Sequence, residues 1–318
     1  MIDINTAKIV IWGLKTGEYN SFRHIHEAWY RAFKFKFPNR NVQWLDEHDD
    51  ICQIDFSNTL FITVNVANLS NMPKRKDCFY AIHNLDNTAK VAFDGDFSGY
   101  SVMNYGLYTS TTELKDEIEV GHEMFFFSQL HAPYSCLILR WGTDLFPHEI
   151  ETNKPTQVFN KESKEINFIG TIYPDVHGPF KRACLENGIN FNAYGGYSGQ
   201  APVSIQENQW LVRSSHMAPA IGDNYHSRVG YSPCRVYKNI SYGCMPLVNN
   251  PHVQRLFKDR LIFNEDTYQL FYDAKNQLPN IELDVLHQLM DEVSRDHTYV
   301  SKIDGLMRAV QLTQEARS

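Results

Sequence analysis

Arg235 and Lys238 are the side chains whose type and spacing best match a definite chemistry. They lie in the run Cys234-Arg235-Val236-Tyr237-Lys238-Asn239-Ile240-Ser241-Tyr242-Gly243-Cys244-Met245-Pro246-Leu247-Val248. Residues at i and i+3 are neighbours on a helix surface, so the two cations share one face. Gly243 and Pro246 end the helix and turn the chain into a short apolar strand. Cations fixed at such a junction suit a pyrophosphate. Arg235 suits it best, because a planar guanidinium fork matches phosphate oxygens. Lys238 and Arg228 are second choices, and a solvated helix face is the competing reading.

Other residues could complete a reaction centre. Arg23-His24-Ile25-His26 opens a helix after the first strand, where a neutral imidazole could deprotonate a hydroxyl. Residues two apart do not share a helical face, so at most one of His24 and His26 points into a cleft. Ile25 packs inward with Trp29, and His24, nearer the helix start, is the expected base. His83, in Ala81-Ile82-His83-Asn84-Leu85, is the competing candidate. Gly170-Thr171 follows a strand, where backbone can approach a phosphate closely, and Tyr194-Gly195-Gly196 is placed similarly. Asp94-Gly95-Asp96 pairs two carboxylates in a way that suits Mg²⁺ or Mn²⁺, and is equally an ordinary turn sequence. Trp12, Tyr19, Trp29 and Trp141 offer sugar-stacking faces or core packing.

These residues need elements to position them. Lys8–Gly13 reads as a buried strand entering a glycine turn. Ser21 then caps a helix in which Ile25, Ala28, Trp29, Ala32 and Phe33 recur at helical spacing. Val42–Leu45, Leu60–Val64 and Cys78–Ile82 read as further strands, followed by Lys90–Phe93, Gly106–Thr109 and Cys136–Leu139. Glu151–Lys164 is polar and reads as a linker. The second half restarts with Ile166–Thr171, a helix over Pro179–Asn187 stopped by Gly188, and a strand over Ile189–Gly196. Arg260–Phe263 reads as a late strand and Leu283–Ala316 as amphipathic helices. Alternation of this kind predicts parallel sheets with crossover helices. The expected architecture is α/β, with two Rossmann-like doubly wound domains, 1–150 and 151–318, facing a cleft.

Bulk properties narrow the function. A chain of 318 residues with 43% hydrophobic content is long and apolar enough for two cores. A formal net charge of −7 argues against a nucleic-acid binder that relies on a general basic field. The six cysteines include no C-x-x-C pair, and no apolar run nears the length of a membrane helix. These features predict a soluble, cytoplasmic protein with reduced thiols and no transmembrane segment. Gly13 is not followed by a G-x-G-x-x-G pattern, so the dinucleotide fingerprint is absent.

The 235–248 segment resembles the donor-site signature of GT-B glycosyltransferases, most closely their exostosin and fucosyltransferase branches. Arg235 stands where the fucosyltransferases have a lysine, and Lys238 where exostosin-like enzymes have a glutamate. Trp141–Pro147 is similar to the Gly-x-Asp-x-x-x-Phe-x-Pro hinge of many GT-B enzymes, shortened here. Residues 81–85 look like the Thr-Ile-His-Asn-Leu stretch of glycogen-synthase-like retaining enzymes. The resemblance implies a metal-independent glycosyltransferase moving a sugar from a nucleotide-diphosphate sugar to a glycan or other hydroxyl acceptor, with no further cofactor. It implies His24 or His83 near the reacting carbon. Donor contacts are implied at Gly170, Thr171, Tyr194, Gly195, Arg228, Arg235, Lys238 and Gly243. The alternatives are a metal-dependent GT-A enzyme using Asp94 and Asp96, or an inactive module binding a nucleotide sugar or glycan.

Overall fold

A computed structural model describes residues 1–16, 21–84, 87–93, 95, 97, 99–106, 118–120, 123–127, 135–195, 203–228 and 231–317. The chain divides into two compact units: Met1–Arg140 with Tyr299–Ser318, and Trp141–Thr298. The division falls ten residues before the expected boundary, and the last helix belongs to the first unit rather than the second.

Unit 1 begins with β1 (Lys8–Trp12), α1 (Ser21–Lys36), β2 (Val42–Leu45), β3 (Thr59–Val64) and β4 (Phe79–His83). It continues with α2 (Asn87–Ala92), β5 (Ser101–Gly106), β6 (Ile118–Val120), β7 (Glu123–Phe127) and β8 (Ser135–Ile138). Its sheet runs β2-β1-β3-β4-β5-β8-β7-β6. The first six strands are parallel, and the β7 and β6 edge is antiparallel. This is a Rossmann-like parallel sheet flanked by helices. Every residue of β3 and β4 is buried, as a parallel sheet covered on both faces requires. In α1 the residues expected inside, Ile25, Ala28, Trp29, Ala32 and Phe33, are all buried.

Residues 90–93 are not the expected strand; they form the end of α2 and the turn that follows it. Ala89 and Phe93, four apart, are buried while Val91 is 74% exposed, the pattern of a helix and not of strand alternation. The strand expected at 106–109 begins earlier, at Ser101, and ends at Gly106; residues 107–109 lie outside the described residues.

Unit 2 contains α3 (Pro147–Thr152), β9 (Glu165–Ile169), α4 (Pro174–Glu186), β10 (Asn190–Tyr194), α5 (Ile205–Ser214), β11 (Ala218–Pro219) and α6 (Asn224–Arg228). Then come α7 (Cys234–Ser241), β12 (Pro246–Val248), α8 (Pro251–Leu256), β13 (Ile262–Phe263), α9 (Thr267–Gln277) and α10 (Leu283–Asp296). Its strands form two parallel ladders, β10-β9 and β11-β12-β13. The ladders are stitched where Glu165 O accepts the His216 N–H at 2.7 Å and Ser215 Oγ accepts the Asn167 N–H at 2.9 Å. The tract 151–164 is not a connector between the units. It lies inside unit 2, where Asn153 and Val158 are buried and Pro155 O meets His287 Nε2 at 2.9 Å.

The chain returns to unit 1 as α11 (Tyr299–Glu315). Tyr299 sets its ring edge-on to Trp29, and the buried Lys302 pairs with the buried Glu123 of β7. Among the described residues no helix is long and apolar enough to cross a membrane.

Candidate functional site

Ligands of open α/β sheets sit beyond the carboxyl ends of the strands, where successive connections leave in opposite directions. In unit 2 the chain runs from β9 outward to β10, then returns through α5 to β11 on the other side of β9. The switch point therefore lies between the ends of β9 and β11, and Arg235 occupies it. Its Nε donates to Ile169 O, at the end of β9, at 2.9 Å and its Nη1 to Ile221 O, just past β11, at 3.2 Å. Its Cζ stacks 3.9 Å from the centre of the Phe168 ring. Among the described residues no carboxylate oxygen lies within 4.0 Å of this guanidinium. Burial pulls its pKa down, with Cys234, Tyr231 and Tyr173 opposing the shift.

Gly170 makes this placement possible. A Cβ there would stand 2.0 Å from Arg235 Nη2, and its φ of +140° is a conformation that L side chains rarely adopt. Its N–H is held by Tyr194 O at 2.8 Å, which brings Tyr194 and the buried Gly195 to the same edge; Thr171 follows, partly exposed. The amino end of α7 opens here too. Its N-cap, Pro233, gives the first amides no side-chain acceptor, and the adjoining Ser232 hydroxyl is buried with no partner among the described residues. Asn249, which sequence reasoning missed, fastens this edge. Its side chain exchanges two 2.9 Å hydrogen bonds with the backbone of Gly222. His177, beneath Phe168, has its pKa lowered to about 4, by burial first and then by the Arg235 charge.

Three other expected donor residues have different surroundings. Lys238 is buried and pairs with Asp144 at 2.8 Å, and Asp144 also accepts the Tyr242 hydroxyl at 2.9 Å. Burial is the largest influence on Lys238 and opposes its charge, but Asp144 and Cys234 together outweigh it and the net shift is upward. Lys238 is thus neither a solvated face nor a cation free for a ligand. Gly243, φ +82°, stops α7. Its N–H bonds to Ile240 O and that of Cys244 to Asn239 O, the Schellman pattern, and a Cβ would stand 2.8 Å from Asn153 O. Arg228 is exposed at the end of α6.

Unit 1 has its own switch point, between β1 and β3. There Gly13 O accepts the Trp44 Nε1–H at 2.9 Å and meets His26 Nδ1 at 2.8 Å. That bond assigns the proton to Nδ1 and leaves the Nε2 lone pair without a partner among the described residues. Burial lowers the His26 pKa to about 4, with the Gly13 bond opposing it. His83 ends β4, buried against Gly106, and its pKa falls to about 3 through burial and then through His26.

His24 was the expected base, but the histidine at this edge is His26; His24 is only partly buried. His26 lies three residues before Trp29 and seven before Phe33, so it falls on the buried stripe of α1. Trp12, Trp29 and Trp141 are core residues and offer no sugar platform. Tyr19, Asp94, Asp96 and Gly196 lie outside the described residues. No family model matches the chain, and no curated protein matches it either.

Proposed function

We propose that the chain is a nucleotide-sugar-dependent glycosyltransferase of the GT-B kind, moving a sugar from a nucleotide-diphosphate donor to a hydroxyl of a glycan or other acceptor. The observation that carries this reading is the Arg235 guanidinium, oriented by two carbonyls and an aromatic ring at a switch point, with no carboxylate oxygen within 4.0 Å among the described residues. As the bond from the sugar to the diphosphate breaks, negative charge gathers on the departing oxygens. Arg235 and the uncapped amides of α7 are placed to stabilise that charge without reorganising. Gly170, Thr171, Tyr194 and Gly195 supply the close backbone wall. Unit 2 is then the donor domain and unit 1 the acceptor domain. Trp141–Pro147, where the chain passes from unit 1 into unit 2, is then the hinge segment. On the acceptor side His26, neutral down to about pH 4 with its Nε2 buried, shapes the edge through its bond to Gly13 O rather than taking the hydroxyl proton. His83 stands beside it.

Titration calorimetry of the full chain with UDP, GDP and the other nucleoside diphosphates, in chelator, tests the reading. One of them should bind, and Arg235→Ala should weaken that binding by about 2–3 kcal/mol. Failure of every nucleotide, or equal affinity in the variant, would remove it. An inactive nucleotide-sugar-binding module is the second reading. It is favoured by the Lys238–Asp144 pair, which fills the position where exostosin-like enzymes carry a glutamate. Nucleotide binding without release of nucleotide from any donor sugar would select it.

A further inference from the structure

The opposite edge of unit 2, at the amino ends of β11 and β12, holds a pocket of about 190 Å³. Its floor is apolar and buried: Val158, Met217, Met245 and Leu278. An apolar cavity of about 150 Å³ accommodates benzene, so this one has room for a six-membered ring. Its rim is cationic. Arg213 is exposed there, with Nη1 held at 2.9 Å by Asn153 Oδ1, an oxygen that also accepts from Gln209 at 2.8 Å. Among the described residues no carboxylate oxygen lies within 4.0 Å of Arg213. Lys164 and Lys275 add positive potential, since both act on His216 in the pocket wall.

We infer that this pocket is a second ligand site, for a ring-sized organic carboxylate whose ring lies on the Met217 and Met245 floor and whose carboxylate meets Arg213. Asn153 holds one end of the guanidinium, so the remaining N–H groups are presented in a fixed direction and binding loses little side-chain freedom. An apolar ring alone would use the floor and leave the cation unanswered. An inorganic anion would use the cation and leave the floor wet. The site stands at the edge away from Arg235 and does not depend on unit 2 holding a nucleotide.

The two floor methionines report on the pocket directly. The full chain, labelled with ¹³C at the methionine methyls, is titrated separately with benzoate, glucuronate and benzyl alcohol, and the Met217 and Met245 signals are assigned through Met217→Leu and Met245→Leu. At least one carboxylate should shift both signals saturably in the millimolar range and leave the other methionine methyls in place. Benzoate alone identifies an aromatic acid, and glucuronate alone a sugar acid. Arg213→Gln should weaken the binding by about tenfold. The inference is overturned if neither carboxylate saturates, if benzyl alcohol binds as tightly as the carboxylates, or if Arg213→Gln leaves the affinity unchanged.

Discussion

At the switch point of unit 1 one backbone carbonyl, Gly13 O, gathers two neutral groups, the Trp44 indole and the His26 imidazole. At that of unit 2 two carbonyls, Ile169 O and Ile221 O, gather one cation. The topology is alike, so the difference comes from the side chain. An imidazole drawn out of water gives up its proton, whereas a guanidinium starts from so high a pKa that the same burial leaves it charged. One edge therefore holds neutral rings and the other a partly buried cation.

The contrast can be attacked from several sides. The largest effect should come from Asp144→Ala, which strands Lys238 as an unpaired buried charge. Urea unfolding should show a loss of about 3–5 kcal/mol. Because Lys238 belongs to the packing of unit 2, Lys238→Met with Asp144→Leu should regain much of that loss. Next comes Arg235→Ala, expected to cost about 2–3 kcal/mol of nucleoside-diphosphate affinity by calorimetry. His26→Asn should leave that affinity as it is. If both variants weakened nucleotide binding equally, the two edges would not be distinct.

A third test uses pH. The pKa values of His26, His83 and His177 are depressed in the folded chain, so below the ordinary histidine value near 6.5 the unfolded chain binds more protons. Stability is then full above that pH and falls as pH drops towards 4. His26→Asn should remove roughly 2 kcal/mol of the difference between pH 7.5 and 5. Identical urea midpoints at those two pH values would contradict the neutral, buried state of these rings. The smallest effect belongs to His24→Ala, expected to change stability by less than about 1 kcal/mol. A larger loss there than in His26→Asn would show that His24, not His26, carries the packing of this face of α1.

Much of this arrangement can be read from the chain alone, and the exceptions have physical causes. Apolar runs such as Leu60–Val64 and Cys78–Ile82 announce buried parallel strands, and Gly170 after Phe168-Ile169 marks the approach to a ligand edge. Arg235 stands out as a phosphate-matching group. That no carboxylate among the described residues pairs with it, however, is a tertiary property, just as the partner of Lys238 lies far upstream at Asp144. His26 was passed over because its neighbour Ile25 also points inward; α1 buries a stripe wide enough for both. The start of α5 had a visible signal that went unused. Ser204 and Glu207 form a capping box, with Ser204 Oγ accepting the Glu207 N–H at 3.2 Å and Glu207 Oε2 the Ser204 N–H at 2.8 Å. Strands of two residues, such as β11 and β13, are too short to show a period.

The return of α11 to unit 1 bears on the order in which the molecule can be made. Ile2 N–H binds the Gln314 side chain at 2.7 Å, and Lys36 of α1 reaches Asp304 at 2.6 Å, so the earliest and latest stretches of this sequence share one body. As the ribosome emits the chain, residues 141–298 can assemble while the sheet around β1 still waits for its covering helix. Trp29 lacks its Tyr299 neighbour, and Ile2 its Gln314 partner, until those residues have been made. The unit begun first is the one completed last.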